Sequence, residues 1–399
     1  MLTVPSITND LIEGKTSERA TCVADLLARN HDEYAILIHG AMHSHVHHIV
    51  GNAYSLGGSE EHLKAVFDGQ ARTLDHWTSS TVLVSNDDDL HRRLGDKMYE
   101  RAFLVYFDQR LQDFGGDWMA LLQEYLLGER ALLSGVVGGF AHPLILLADA
   151  IDLASPKVAV EALAMLAVDY NPLHRLLDAS AKTAVKQTSA LAILERIRTD
   201  DRFDNLFSTS GVGNTMAILG SEDARNAALQ HFNSYIVPSE PDETNKALLE
   251  LAEAAVLLLA AVDAPKTKHE FDIYLTHQLT FVWSIRVLIA ALPPTATRTL
   301  FRAAWLMMVL TYITQLRPEI VKDRITQPVI APPQTEIEWE RLKSAALENI
   351  EDPHYTKVIR TLWEFATLWP HNEALFLDAC VVFERDFAGW KGFDIRPEH

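Results

Sequence analysis

Residues 158–167 read Val-Ala-Val-Glu-Ala-Leu-Ala-Met-Leu-Ala. The stretch is rich in good helix formers and shows no apolar–polar alternation, so it reads as helix and not strand. Outward from it, Glu250–Val262, Phe281–Leu292 and Leu300–Leu316 read the same way, and the last is stopped before Pro318. Alternating β-branched runs are few. Thr81–Val84 (TVLV) is the best strand candidate. Gly57-Gly58, Gly115-Gly116, Asn171-Pro172, Pro238 to Pro241 and Pro293-Pro294 punctuate the helices. Nothing repeats at a fixed period, which argues against a solenoid. The expected fold is all-α, a large single helical domain over residues 1–399. A linker at Thr326–Thr335, carrying Pro328, Pro332 and Pro333, leads to a C-terminal helical segment that packs back on the core.

Composition sets the class. With 399 residues and 48% hydrophobic content, the chain has the length and apolar residues for a large core. Two cysteines, Cys22 and Cys380, make no disulfide framework, and a reducing, cytoplasmic location is expected. The opening MLTVPSITNDLIEGK has neither a basic n-region nor a long apolar run, so no secretory signal is read. Ala254–Val262, the most apolar run, is too short to span a bilayer. A net charge of −19 argues against nucleic acid and against anionic membrane surfaces as partners. A small, mostly apolar substrate is little affected by that field.

The chemistry concentrates in His39-Gly-Ala-Met-His43-Ser-His45-Val-His47-His48. Neutral imidazole is a good ligand for iron, zinc and copper. On a continuous helix His45 and His48 share one face, while His39, His43 and His47 share another. Spacing does not choose between these sets, and a helix starting near Ser44 leaves His43 in a loop. The competing reading is a polar helix end or an adventitious metal-binding patch. The apolar residues that follow, Ile49-Val50 and Tyr54-Ser55-Leu56-Gly57, suggest a helix packed into the core. Buried histidines there are costly unless paired or ligated. Taken singly, His142 reads as a cap or core residue, His277 as a satisfied core histidine, and Lys357 as a solvated or ion-paired lysine.

Together these stretches resemble the questin oxidase-like family. His43-Ser-His45-Val-His47-His48 followed by Tyr54-Ser-Leu-Gly57 is similar to the family's HNHxxHH segment running into YALG. Leu94-Gly-Asp-Lys-Met-Tyr99, then Trp118 and Glu124-Tyr-Leu126, is similar to LGDxxYY…W…EYL. Gly139-Phe-Ala-His142-Pro-Leu-Ile145 matches GFxHPLI. His277-Gln-Leu-Thr280, Ile285-Arg286 and Tyr312 to Ile320 are similar to the HxVT…LR…QLRPEI block, and His354-Tyr-Thr-Lys357-Val-Ile-Arg360 to HxxKxxR. The five occur in order over most of the chain. Ser44 replaces the usual asparagine. The His47-His48 pair is displaced by one position when Tyr54 is aligned. Leu146 stands where several members carry a second histidine, and Trp283 replaces a frequent histidine.

The resemblance implies an oxygenase that opens anthraquinone-type rings in a Baeyer–Villiger-like or dioxygenase-type step. It also implies a non-haem Fe(II) held by several histidines and a modified lysine. Carried over by position, the metal ligands and catalytic residues are His45 and His48 (or His43), His142, His277 and Lys357. An ammonium group cannot bind a cation, whereas a lysine carbamate presents carboxylate oxygens. The expected partners are dioxygen and a planar aromatic polyketide. Trp283, Tyr312 and Arg286 are candidate substrate contacts. Trp118, Trp305, Arg317 and Arg360 are further candidates, and each of these residues also reads as plain core or ion pair.

Baeyer–Villiger chemistry also suggests flavin and NADPH. No GxGxxG follows a strand, and Gly135-Val-Val-Gly138-Gly139 is not that fingerprint, so a metal is the more economical activator of dioxygen. The His31-Asp32 pair lacks the partners of a phosphohydrolase, and neither HExxH nor GxSxG occurs. Two alternatives stay open at this level: an NADPH-dependent Baeyer–Villiger oxidase without bound metal, and a non-catalytic helical binding protein.

Overall fold

The computed structural model describes residues 18–178, 188–238, 241–262, 267–325, 334–349 and 352–392. The architecture is all-α, with two two-stranded sheets among the described residues. Residues 158–167 lie within the helix Pro156–Val168, and every residue from Val158 to Val168 is buried. A helix that is apolar all round belongs at a centre. This one packs against the helices Glu18–Glu33, Glu100–Asp113, Trp118–Leu127 and His142–Asp152. Its start is set locally. Ser155 Oγ accepts a hydrogen bond from Val158 N at 3.3 Å, and Pro156 sits in the first turn, where the missing N–H costs nothing. Glu161 is the only charged residue on its buried length.

The chain forms two compact units. The first comprises Met1–Arg175, Ser284–Ala303 and Lys343–Lys357; the second comprises Leu176–Trp283, Ala304–Leu342 and Val358–His399. In the first unit the late residues 343–357 share a core with the N-terminal helices. Asn52 Nδ2 donates to Thr356 Oγ1 at 3.5 Å, and Lys357 is 1% exposed. The expected return of Lys357 to the core is therefore met. The proline-bearing part of the linker, residues 326–333, lies outside the described residues.

In the second unit the helix Pro241–Ala260 packs against Ala190–Arg198 and Glu373–Asp386. Beyond the helix Thr297–Thr314, Leu316 and Arg317 both take positive φ (65° and 54°) and end the helical path. The Arg317 guanidinium donates to Asp200 O at 2.9 Å and Asp204 Oδ1 at 2.8 Å, which ties down the turn after the helix Ala190–Arg198. The helix Ile273–Ala291 is long and apolar enough to cross a membrane, and 83% of its most apolar window is buried in the protein, as in a core helix.

Thr81–Val84 is not a strand. Ser80 Oγ hydrogen-bonds Val82 N and O, a local alternative to a ladder, and Leu83 is left exposed with no partner strand. The strands that do form are Leu37–Ile38 with Met42–His43, antiparallel, and His269–Asp272 with Phe387–Lys391, parallel. They are too short to carry a period-2 signal.

Candidate metal centre

The five clustered imidazoles are separated by a turn and a helix start. Between Leu37–Ile38 and Met42–His43, His39 and Gly40 both take positive φ (52° and 66°), as in the tight turns of hairpins. His39 therefore sits at the tip, with its side chain 76% exposed and Nδ1 3.3 Å from Asp75. The helix starts at Val46 with His45 as its N-cap residue, so His43 is held on a strand and helical spacing applies only after His45. His43 Nε2 contacts Asp169 Oδ2 at 2.7 Å. His48 Nδ1 contacts Asp149 Oδ1 at 2.8 Å, and both side chains are buried.

His142 is placed by a strained turn. Gly139, Phe140 and Ala141 have successive φ values of 50°, 53° and 58°. Left-handed backbone at two non-glycine residues in a row costs about 1–3 kcal/mol each. The turn lets a helix begin at His142 with Pro143 in its first turn. A Cβ at position 139 would collide with the Asp169 carboxylate and the His43 ring, so only glycine fits there. The His43 and His142 rings then stack, with centroids 4.1 Å apart and planes 11° apart.

His45 is the centre of this arrangement. Its ring meets His142 edge-on at 5.3 Å and His354 at 4.9 Å. His45 and His354 each offer a ring nitrogen, and these lie within 4.8 Å of one another. His45 Nε2 is sealed from solvent and has no hydrogen-bond partner among the described residues, although another edge of the residue keeps some exposure. The ring also hydrogen-bonds the His43 backbone. Burial, reinforced by the positive charge of Lys357, pushes the His45 pKa well below the usual imidazole range, so the ring is neutral at pH 7.

Lys357 Nζ is also sealed and has no hydrogen-bond partner among the described residues. Burial lowers its pKa to about 7, with Asp352 and Asp149 partly opposing the shift. A lysine in this state is a neutral amine for much of the time and is nucleophilic.

The histidines share a further feature. His142 Nδ1 lies 2.8 Å from Gly139 O, and His48 Nδ1 lies against Asp149. A backbone carbonyl only accepts, so His142 Nδ1 donates and its neutral ring holds the lone pair on Nε2; His48, with Nδ1 on a carboxyl oxygen, is placed in the same orientation. Metal-binding histidines are oriented in this way by their outer partners. His277, in the second unit, follows the same rule: it is buried, with Nδ1 2.6 Å from Ile273 O. His43 departs from it, because its Nε2 is engaged by Asp169.

Most of the remaining residues singled out in the sequence have visible partners. Trp283 is 1% exposed, and Nε1 donates to Glu364 Oε2 at 2.7 Å. Arg360 Nε donates to Glu364 Oε1 at 2.8 Å and its guanidinium lies 4.9 Å over the Trp283 ring. Tyr312 OH donates to Pro318 O at 2.7 Å, and Trp305 Nε1 to Phe232 O at 3.0 Å. Arg286 is 4% exposed, and Trp118 is a part-exposed first residue of its helix. Sequence reading did not single out His354, Asp149, Asp169 or Glu161 as site residues. His354 stands three residues before Lys357 on the same helix, a spacing that was available. Glu161 is the lone carboxylate of an apolar helix, and Asp149 shares a mostly apolar helix with Asp152; a carboxylate in such a helix is the signal a buried histidine partner leaves.

A cation fits this donor set. The His45 and Lys357 donor atoms are buried and meet no hydrogen-bond partner among the described residues, and of the neighbouring rings His48 and His142, unlike His43, have Nδ1 engaged and Nε2 left over. Comparison with known proteins identifies the family. A family model described as Questin oxidase-like matches residues 42–362. The Baeyer-Villiger oxidase AgnL3 of Paecilomyces divaricatus is 25% identical, over 84% of this chain and 76% of that protein. The oxidoreductase AflY of Aspergillus parasiticus is 24% identical, over 88% and 73%. The questin oxidase of Aspergillus fumigatus is 24% identical, over 84% and 79%.

Proposed function

The chain belongs to the questin oxidase-like family and is an oxidoreductase; from that premise we propose that it cleaves a ring of a planar aromatic polyketide, such as an anthraquinone, with dioxygen at a non-haem Fe(II) centre. The observation that carries this reading is the pair of sealed, unpartnered donors, His45 Nε2 and Lys357 Nζ, beside His354. Leaving such groups buried without partners costs about 1–3 kcal/mol each. A ligand that uses them removes that cost.

In this reading His45 and His354 hold the iron. His48 and His142, preset by Asp149 and the Gly139 carbonyl, are the further imidazole donors. The resemblance also names His277, and its substitution is a separate test. The neutral Lys357 amine adds carbon dioxide, forming an N–C bond and releasing one proton, and the resulting carbamate supplies an anionic oxygen ligand. When bound, Fe(II) supplies a site for dioxygen beside the electron-rich ring and a path for electrons between them. The protein's own part is to keep the His45 imidazole neutral by burial and to orient the His48 and His142 rings. A dioxygenase-type cleavage places both oxygen atoms in the product and needs no external reductant. A Baeyer–Villiger-like insertion needs two electrons, which a hydroquinone-level substrate gives up on becoming the quinone.

The test is metal analysis of anaerobically purified protein, together with oxygen uptake on a panel of anthraquinones and their reduced forms. About one iron per chain and uptake with a reduced anthraquinone are expected. Absence of bound metal, with NADPH consumption coupled to turnover, would favour the metal-free Baeyer–Villiger reading.

A further inference from the structure

The helix Val46–Ser55 presents His47 and His48 in succession, roughly 100° apart around its axis. Each meets a buried carboxylate on a different helix: His48 meets Asp149 on His142–Asp152, and His47 Nε2 meets Glu161 on Pro156–Val168. Glu161 is 2% exposed and also takes His31 Nδ1 at 3.0 Å. His31 Nε2 reaches Asp108 at 3.1 Å, and Asn30 Nδ2 lies 3.0 Å from His47 Nε2. This network has no part in the chemistry proposed above.

What it can do follows from how the helix begins. His45, at the N-cap, makes no side-chain cap bond, so the first turn lacks the usual device that fixes a helix start. The far end is held instead: Arg19 donates to Tyr54 O at 2.6 Å and to Gly58 O at 2.7 Å. Rotation of the first turn is resisted by the two carboxylates acting from two directions. The Glu161 contact is the firmer because its partner is charged. Burial lowers the His31 pKa, but the hydrogen bonds to Asp108 and Glu161 outweigh that and raise it to about 9. His31 is therefore a cation at pH 7, and Glu161 stays ionised between its two histidines.

We propose that Glu161, bridging His31 and His47, is a positioning residue that fixes the rotation of the helix Val46–Ser55 and thereby aims His45 and His48 at the metal. The inference rests on the metal reading above, and it adds a residue that touches neither metal nor substrate.

Glu161→Gln keeps the volume and removes the charge. Two readouts are taken: the dissociation constant for ferrous iron alone, by anaerobic titration, and the His48 tautomer in the metal-free protein, by long-range proton–nitrogen NMR. The expected result is iron binding weaker by about 10–100-fold, the range for outer-shell partners, and loss of the single Nδ1–H tautomer at His48, with helical content unchanged. Glu161→Asp retains the charge, is expected to recover part of both, and stands in if Glu161→Gln does not fold. Wild-type affinity together with an unchanged His48 tautomer would overturn the proposal. If wild-type protein takes up no iron, the metal reading fails by itself and the His48 tautomer alone decides the role of Glu161.

Discussion

Two buried polar clusters, one in each unit, are made of similar parts and finished differently. In the second unit Glu364 takes both the Trp283 indole N–H and the Arg360 Nε–H, and Arg360 lies over the Trp283 ring. Cation, carboxylate and ring close on one another, as a fold does when a charge has to be inside. In the first unit His45 Nε2 and Lys357 Nζ are equally sealed and meet no acceptor or donor among the described residues. A buried amine with no carboxylate bonded to it is a standing cost to stability. On the proposed function, the difference separates a polar cluster that belongs to the fold from one kept for a ligand, and it makes opposite predictions for substitution in the two places.

The largest effect is expected from Lys357→Met. Turnover and bound iron should fall by about 100-fold or more, since a ligand is worth at least as much as its outer-shell partners. The metal-free protein should become more stable, because a desolvated amine is replaced by an apolar chain of similar length. Glu364→Gln should do the reverse. It leaves the Arg360 cation buried without its carboxylate, at a cost of about 3–5 kcal/mol in denaturant unfolding, with iron stoichiometry unchanged. The comparison breaks if Lys357→Met unfolds the protein while keeping its iron, or if Glu364→Gln empties the site at wild-type stability.

Next in size is Asp149→Asn. The amide can no longer hold His48 Nδ1–H as a charged acceptor, and iron binding should weaken by about 10–100-fold. Equilibrium dialysis against a competing chelator measures this directly, and an unchanged affinity would remove His48 from the ligand set.

Proton linkage sharpens the same contrast. The folded pKa of Lys357 is about 7 against an ordinary 10.5. Between those values the unfolded chain binds the extra proton and the folded chain does not. The stability of the metal-free protein should therefore rise with pH across that window, at up to about 1.4 kcal/mol per unit, with the full penalty present below pH 7. Lys357→Met should flatten that rise. Activity should fall as pH drops below 7, because a protonated amine adds no carbon dioxide, and added bicarbonate should oppose the fall. A stability profile that is identical in wild type and Lys357→Met would count against a depressed lysine.

Much of this was legible in the chain itself. The helix Pro156–Val168 was plain from ten residues because its helix formers run without interruption and without alternation. The strand pairs were not, since two- to five-residue strands carry almost no periodicity. The ligand cluster was visible as a composition of histidines, but its geometry was not. Which ring goes where depends on a helix that starts at Val46 and on the left-handed turn at Gly139–Ala141, and spacing rules assume a helix already under way. The carboxylates that sort the rings, Asp149, Asp169 and Glu161, come from 101 to 130 residues beyond the histidines they meet. Local patterns do not span such separations. His354 stands three residues from Lys357 on one helix, a spacing that puts both on the same face.

The smallest predicted effect concerns Tyr312, whose ring was read from the sequence as a substrate contact. Its hydroxyl donates to Pro318 O at 2.7 Å, across the left-handed pair Leu316 and Arg317 that ends the helix Thr297–Thr314. That hydrogen bond closes the turn and belongs with the finished cluster of the second unit. Tyr312→Phe removes one neutral hydrogen bond and leaves the ring. A loss of about 1 kcal/mol in unfolding free energy is expected, with kcat and KM for a reduced anthraquinone unchanged. A several-fold rise in KM at unchanged stability would instead put the hydroxyl on the substrate. The turn's backbone supports the first outcome: two non-glycine residues at positive φ persist only when surrounding bonds hold them, and the Tyr312 hydroxyl is one of the bonds that reach across them.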